Sequence, residues 1–467
     1  MLTYSLEDRG GLSLYEYLYR RIRADILDGT LATGERLPSK RALAEHLHIS
    51  VITVEGAYQQ LEAEGYVYTL PKRGFFVSHV DRPPEAPAPA AIPEEVPAVW
   101  KLDLRNNRVD SSRFPVSTWV RLTRQVLSEG GSPLLSPVPH QGLPALRRAI
   151  ADDLRDFKGM AVSPEQIVVG AGAEYLYLLL AQLLGKEAVF AVEDPGYPKI
   201  RQVYGKCGAA CVPVPLDRQG MDPAALRASG ANVVHISPSH HYPTGTVTSI
   251  GRRQALLRWA EQADGVIIED DYDSEFRFVG RPIPTLFSVS ESQRVIYLNT
   301  FSKTIAPSIR ISYMILPPRL LARYREKLGF YACTVSSFEQ YALARFLEQG
   351  RYEQHLNRMK TRYRQKRDAV IDAIRRSPLS DRAEILEQDA GLHFLMVLPT
   401  DLDDRSLRRR AEAMGLRLAL LSDYYSQPAA APQHILVVNY AGIDMDRLPE
   451  GLRRLAQLWE EPSCMTN

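Results

Sequence analysis

Val266-Ile267-Ile268-Glu269-Asp270-Asp271-Tyr272 is a short apolar run that breaks directly into carboxylates and a tyrosine. It reads as a buried strand with acids at its carboxyl end. The pattern repeats outward from it. Val295–Leu298 runs into Thr300-Phe301-Ser302-Lys303, and Ile167–Val169, Val189–Val192 and Val233–Ile236 are further apolar runs separated by helical stretches. This alternation predicts βαβ units and a mostly parallel sheet. Ligands of such sheets sit at the carboxyl ends of the strands, where Asp270 and Lys303 both stand.

Beyond this α/β region, a long basic helix is expected from about Lys327 through Lys366, followed by apolar runs at Leu392–Leu398 and Ile435–Val438. The chain is thus read as a large lobe over 100–326 and a smaller α+β lobe over 327–467. Before it, Asp81 to Pro97 contains six prolines and almost nothing to bury, so residues 81–99 read as a semi-extended linker. Residues 1–80 form a separate small domain. Leu14, Leu18, Ile22 and Ile26 recur every fourth residue ahead of Gly29, marking an amphipathic helix. Ser39 is placed to cap a second helix to about His46, and Ser50 a third that buries Val54, Ala57, Tyr58 and Leu61. Tyr66 to Leu70 and Phe75 to Ser78 flank Pro71-Lys72-Arg73-Gly74 as a hairpin. Three helices and a hairpin predict a winged helix-turn-helix.

The 467 residues carry a net charge of only +2, which gives no global pull toward nucleic acid or anionic membrane. Cys207, Cys211, Cys333 and Cys464 are too scattered for a disulfide framework or a zinc site, and no metal is expected. No apolar stretch reaches the length of a membrane span. A cytoplasmic location with no membrane partner fits best.

Residues 1–80 hold nine Lys or Arg against ten Asp or Glu, so a DNA surface has to be local. Arg36, Lys40 and Arg41 cluster at the start of the second helix, and Lys72 and Arg73 sit on the wing, where phosphates would lie. The alternative is a docking module for protein, which these cations disfavour. The segments Arg36-Leu37-Pro38-Ser39-Lys40-Arg41-Ala42-Leu43-Ala44, Ser50-Val51-Ile52-Thr53-Val54 and Leu61-Glu62-Ala63-Glu64-Gly65-Tyr66 resemble the GntR family of bacterial regulators. The resemblance implies that Ser39, Lys40, Arg41, Ser50, Thr53 and the wing meet DNA. Val51 stands where the family usually has arginine, so a bidentate guanine contact is missing.

In the large lobe, four features follow strands in order: Gly170-Ala171-Gly172-Ala173-Glu174, Asp194-Pro195-Gly196-Tyr197, Glu269-Asp270-Asp271-Tyr272 and Thr300-Phe301-Ser302-Lys303 with Arg310 downstream. Together they supply what pyridoxal 5′-phosphate (PLP) needs: a Schiff-base lysine, an acid for the pyridine nitrogen and a phosphate cup. The assignment is Lys303 for the Schiff base, Asp270 for the ring nitrogen, Tyr272 for the 3′-oxygen and Tyr197 for the ring face. Ser302, Thr300, Arg310 and the N–H groups of Gly172 and Ala173 would hold the phosphate.

These motifs, with Gln141-Gly142-Leu143-Pro144-Ala145-Leu146-Arg147 and Ser239-His240-His241-Tyr242-Pro243-Thr244-Gly245, resemble fold-type-I aminotransferases from about Leu102 onward. A GntR-like domain joined to such a body resembles the MocR/GabR subfamily of regulators. The resemblance implies a homodimer that binds PLP at Lys303 and DNA through its N-terminal domains, and that senses an amino compound or PLP itself. His241 falls at the ring edge, where many relatives have glutamine. The rival is a working aminotransferase with an appended DNA-binding domain. Against it, no arginine occurs between Arg417 and Arg447, around Val437-Val438-Asn439, where the family holds a substrate carboxylate. Losing that charge-assisted bond costs about 1.5–3 kcal/mol, roughly tenfold to over a hundredfold in affinity.

Overall fold

The computed structural model describes residues 2–81, 99–105, 109–278, 283–380, 382–386 and 391–458. The chain divides into two compact units, Met1–Pro97 and Ala98–Asn467. Most of the Pro-rich stretch read as a linker lies outside the described residues.

The first unit is built from α1 (Leu14–Leu27), α2 (Lys40–His46), α3 (Val51–Ala63), β1 (Val67–Leu70) and β2 (Gly74–Val77). Ser39 Oγ accepts the N–H of Ala42 and Ser50 Oγ that of Thr53, so both helices start at the caps that the sequence offers. Leu18 and Ile22 of α1 meet Leu43, Val54, Tyr58 and Leu61 in one apolar cluster. The wing is wider than a hairpin. Val77 donates its N–H to Glu35 O and Leu37 its N–H to Phe75 O, each at 2.9 Å, which lays residues 35–37 along β2 as a third edge.

In the second unit the strands are β3 (Leu102–Asp103), β4 (Ile167–Gly170), β5 (Val189–Asp194), β6 (Ala210–Asp217), β7 (Gly220–Met221), β8 (Val233–Ile236), β9 (Val266–Asp270), β10 (Val295–Thr300), β11 (Ser312–Ile315), β12 (Glu384–Leu386), β13 (Phe394–Val397), β14 (Leu416–Arg417) and β15 (Ile435–Val438). Eight of them form one sheet in the order β4-β11-β10-β9-β8-β5-β6-β7. The pairs from β10 through β9, β8 and β5 to β6 are parallel, and β11 runs antiparallel between β10 and β4. Both faces are covered. Along β10, Ile296 and Leu298 enter one apolar cluster and Tyr297 another. β6 escapes a reading by apolar runs because Pro213 and Pro215 interrupt it, and it lies next to the sheet edge, where proline is tolerated.

β12, β13 and β15 make a small antiparallel sheet, and β3 pairs in parallel with β14. Leu102, Leu104 and Val109 therefore pack in the same cluster as Phe394, Leu436 and Leu455 of the C-terminal lobe. The single helix expected from Lys327 to Lys366 is instead three: Pro318–Leu328, Ser337–Glu348 and Arg351–Arg375. Gly350, at φ +65°, is in the left-handed region that ends one helix before the next begins. Leu343 and Phe346 of the middle helix pack with Leu146 and Val169 of the large lobe. Met359, Tyr363 and Ile371 of the last join the C-terminal cluster. No helix among the described residues is long and apolar enough to cross a membrane.

Candidate functional sites

Asp270 is the last residue of β9, and its neighbour in register is Leu298 of β10, which leads into Lys303. Parallel pairing thus brings the acid and the lysine to one end of the sheet. Asp270 is buried and accepts a hydrogen bond from Tyr177 Oη. His235 Nε2 lies 3.3 Å from the same carboxylate oxygen, and His235 Nδ1 lies 2.8 Å from Tyr204 Oη. Burial and then the Asp270 charge push the Tyr177 hydroxyl far above its usual range, so it stays a donor. Tyr177, Tyr204 and His235 were not legible as site residues, because nothing in their local sequence shows which carboxylate they face.

Lys303 is half-buried in the short helix Phe301–Thr304 that follows β10. Burial pushes its ammonium down to about 8; Asp273 opposes the shift and Lys199 adds to it. Tyr272 Oη is 3.3 Å from His240 Nδ1, which in turn lies 3.0 Å from Asp273 Oδ2. Tyr197 caps the helix Pro198–Lys206, and its ring meets Tyr242 edge-on at 6.1 Å. Tyr242 Oη lies 2.8 Å from Tyr424 Oη. His241 is pushed down to about 3, chiefly by burial, and so is neutral. Its Nδ1 lies 2.7 Å from Thr244 Oγ1, and its buried Nε2 makes no hydrogen bond, the Glu193 carboxyl oxygen Oε2 lying 3.5 Å away.

The anion end is formed by the turn before the helix Ala173–Leu184 and by the segment from Thr300 to Arg310. Gly172 has φ +92° and Arg310 φ +50°. A β-carbon on Gly172 would lie 2.3 Å from Arg310 Nη2, so only glycine leaves the guanidinium its place. Arg310 Nη2 is also 2.7 Å from Glu174 Oε2. Burial raises the Glu174 carboxyl, but hydrogen bonds from Arg310 and Lys199 outweigh it and hold the group at about 2. Two expectations change here. Gly172 gives its N–H to Gly170 O at 2.9 Å, which leaves the N–H of Ala173, first in the helix, as the backbone donor of the pair. Thr300 Oγ1 is buried inside the turn, where it accepts from Ser302 N and Ser312 Oγ. Ser302 Oγ, by contrast, is buried with no hydrogen-bond partner. A buried hydroxyl left unpaired beside a glycine-cleared arginine and a helix N-terminus fits a phosphate. The residues present fit PLP at both ends.

On the C-terminal lobe, Asn439 directly follows β15, in the stretch Val437-Val438-Asn439 that carries no arginine. It is buried, and both its N–H and Nδ2 donate to Leu104 O, leaving Oδ1 without a partner. The next residue, Arg105, is exposed. Its charge partly offsets the upward push of burial on the Tyr242 and Tyr424 hydroxyls. Sequence order hides this cation, which stands more than three hundred residues before Asn439.

In the first unit, Arg41, Ser50, Val51, Lys72 and Arg73 are exposed. Lys72, with φ +61°, forms the tip of the wing, and Arg73 lies over the Phe76 ring at 5.9 Å. Arg36 lies against the wing, its Nε 3.4 Å from where a β-carbon on Gly74 would stand. Lys40 Nζ is 2.5 Å from Glu55 Oε1, so its charge is already met within the domain. Thr53 Oγ1 lies 2.8 Å from Ser50 Oγ, and both hydroxyls belong to the cap of α3.

The family model "Aminotransferase class I and II" matches residues 97–455, and "Bacterial regulatory proteins, gntR family" matches residues 14–77. Among solved structures, a multiple substrate aminotransferase from Thermococcus profundus superposes with a TM-score of 0.69 at 26% identity, covering 79% of this chain and 92% of that one. The HTH-type transcriptional regulator YdeL of Bacillus subtilis is 36% identical, over 96% of this chain and 97% of its own length. The pyridoxine biosynthesis regulator PdxR of Corynebacterium glutamicum is 34% identical, with 96% of each chain covered. The rhizopine catabolism regulatory protein MocR of Rhizobium meliloti is 32% identical, over 96% of this chain and 94% of its own length. A GntR helix-turn-helix and an aminotransferase body, aligned with these regulators over nearly their whole length, make this chain a member of the MocR/GabR subfamily of HTH-type transcriptional regulators.

Proposed function

We propose that this regulator binds PLP covalently at Lys303 and uses it to sense a small amino compound, or PLP itself, with the signal passed to DNA binding in a homodimer. The observation that carries the reading is that parallel pairing of β9 and β10 brings the Asp270 network to the sheet end from which Lys303 and the unpaired Ser302 hydroxyl follow, in a chain that also bears a GntR domain. PLP, when bound, supplies a carbonyl carbon that condenses with amines and a ring that draws electrons from it.

The chain's own residues do the rest. Lys303, with its ammonium near 8, has an appreciable neutral fraction at neutral pH and is therefore nucleophilic. Asp270, held by Tyr177 and His235, would keep a proton on the ring nitrogen. Tyr272 would donate to the ring oxygen and Tyr197 would cover the ring face. Arg310, Ser302 and the Ala173 N–H would hold the phosphate. With Val437, Val438 and Asn439 and no arginine in that stretch, binding without turnover is the expected behaviour.

Two relatives support the choice of signal, one named for pyridoxine biosynthesis and one for rhizopine catabolism. The test is to titrate the purified full-length protein with PLP and with amines while following its visible spectrum and its affinity for DNA. Spectral change accompanied by altered DNA affinity is expected. A spectrum that responds while DNA affinity never does removes the sensing role. The likeness to aminotransferases supports a second reading, a working aminotransferase, which turnover measurements separate.

A further inference from the structure

Most apolar side chains of α3 point inward: Val54, Ala57, Tyr58 and Leu61 are buried. Its first two residues do not. Ile52 is 79% exposed and Val51 is 42% exposed. They occupy the end of a recognition helix that helix-turn-helix folds present to base edges in the major groove. The polar groups around them are committed elsewhere. Ser50 Oγ accepts the Thr53 N–H at 3.1 Å and lies 2.8 Å from Thr53 Oγ1, while Lys40 is held by Glu55. The outward surface of this first turn is therefore two branched aliphatic side chains.

Most edge groups that the bases present in the major groove are donors or acceptors, and the C5-methyl of thymine is the one that projects substantial apolar surface. An aliphatic side chain set against a polar edge strips it of water without replacing the hydrogen bond; set against a methyl, it buries apolar surface. We propose that Val51 and Ile52 read thymine methyl groups, so that each operator half-site carries A·T pairs under the start of α3. The proposal rests on the reading that this domain binds DNA through α3. Duplex DNA is the occupant favoured over an apolar protein partner because the neighbouring elements carry the exposed cations Arg41, Lys72 and Arg73. Such a rim matches a groove walled by phosphates.

The experiment uses the full-length protein. Duplexes enriched from a random library define the half-site, and each thymidine in it is then replaced by deoxyuridine, which removes only the methyl. One or two positions per half-site are expected to lose about fourfold in affinity, the effect of one methyl leaving an apolar contact. That difference should vanish in V51A/I52A, whose salt dependence stays as in the parent because no phosphate contact is touched. Alanine at two exposed helical positions keeps the fold, which a melting curve checks. Half-sites in which no deoxyuridine has an effect, or an effect that persists in the double variant, overturn the proposal. Failure to enrich any sequence overturns it differently, by removing the DNA-binding reading on which it stands.

Discussion

Gly172 and Arg310 interlock: a β-carbon on the glycine would lie 2.3 Å from the arginine's Nη2, and both residues have positive φ. Gly172→Ala therefore has to displace the guanidinium and strain the backbone together. It should weaken PLP binding tenfold or more and cost about 1 kcal/mol of stability or somewhat more. Equilibrium titration of the variant with PLP, alongside its melting temperature, checks both. Unchanged affinity would place the phosphate elsewhere.

Lys303 attacks only as the free amine, so covalent attachment of PLP to the apo protein should speed up as pH rises through about 8 and then level off. Lys199→Ala removes a neighbouring cation and should move this midpoint upward. Asp273→Asn removes an anion and should move it downward. Lys303→Ala should lose the covalent link that borohydride fixes in the parent. Stopped-flow absorbance across pH reads the midpoints.

Glu193 is buried, which pushes its carboxyl up to about 8 from the ordinary 4.5. The folded state then keeps a proton that the unfolded chain releases, so this group lowers stability progressively as pH rises from about 4.5 to about 8. Glu193→Gln stays neutral throughout. Its melting temperature relative to the parent should be higher at pH 9 than at pH 6, and a constant difference would mean that Glu193 is already ionised in the folded protein.

With Val437, Val438 and Asn439 in the stretch where the family's arginine would clamp a carboxylate, the Cα–H bond of an amino acid would not be held across the cofactor ring. Mixed with common α-amino acids and a keto-acid acceptor, the PLP-loaded protein should form at most one keto acid per site over hours. Many turnovers per site for any of them would favour the enzyme reading.

Arg73 is exposed on the wing, whereas Lys40 is paired with Glu55 at 2.5 Å. Arg73→Ala should weaken binding to all duplexes alike and flatten the dependence of log affinity on log salt by about one unit. Lys40→Ala should do less, because its charge is already met. Glu55→Gln should strengthen binding by freeing Lys40. Affinities measured at several salt concentrations give the slopes.

The sequence by itself determined most of what has a local cause. Ser39 and Ser50 cap their helices because a hydroxyl there reaches the N–H three residues on. The strands ending at Asp270 and leading into Lys303 are legible because apolar runs that stop at polar residues mark strand ends. Gly350, by contrast, was passed over by the helical pattern around it, and its left-handed backbone splits the long helix. What only the tertiary structure decided depends on residues far apart in the chain. Tyr177 and His235 meet Asp270 because three separate elements converge at the sheet's carboxyl end, and no local pattern encodes that meeting. Asn439 lies on Leu104, 335 positions away, because β3 joins the C-terminal lobe through β14. Pairing of that kind is set by how the whole core closes around buried apolar surface, and it decides which charges reach the site.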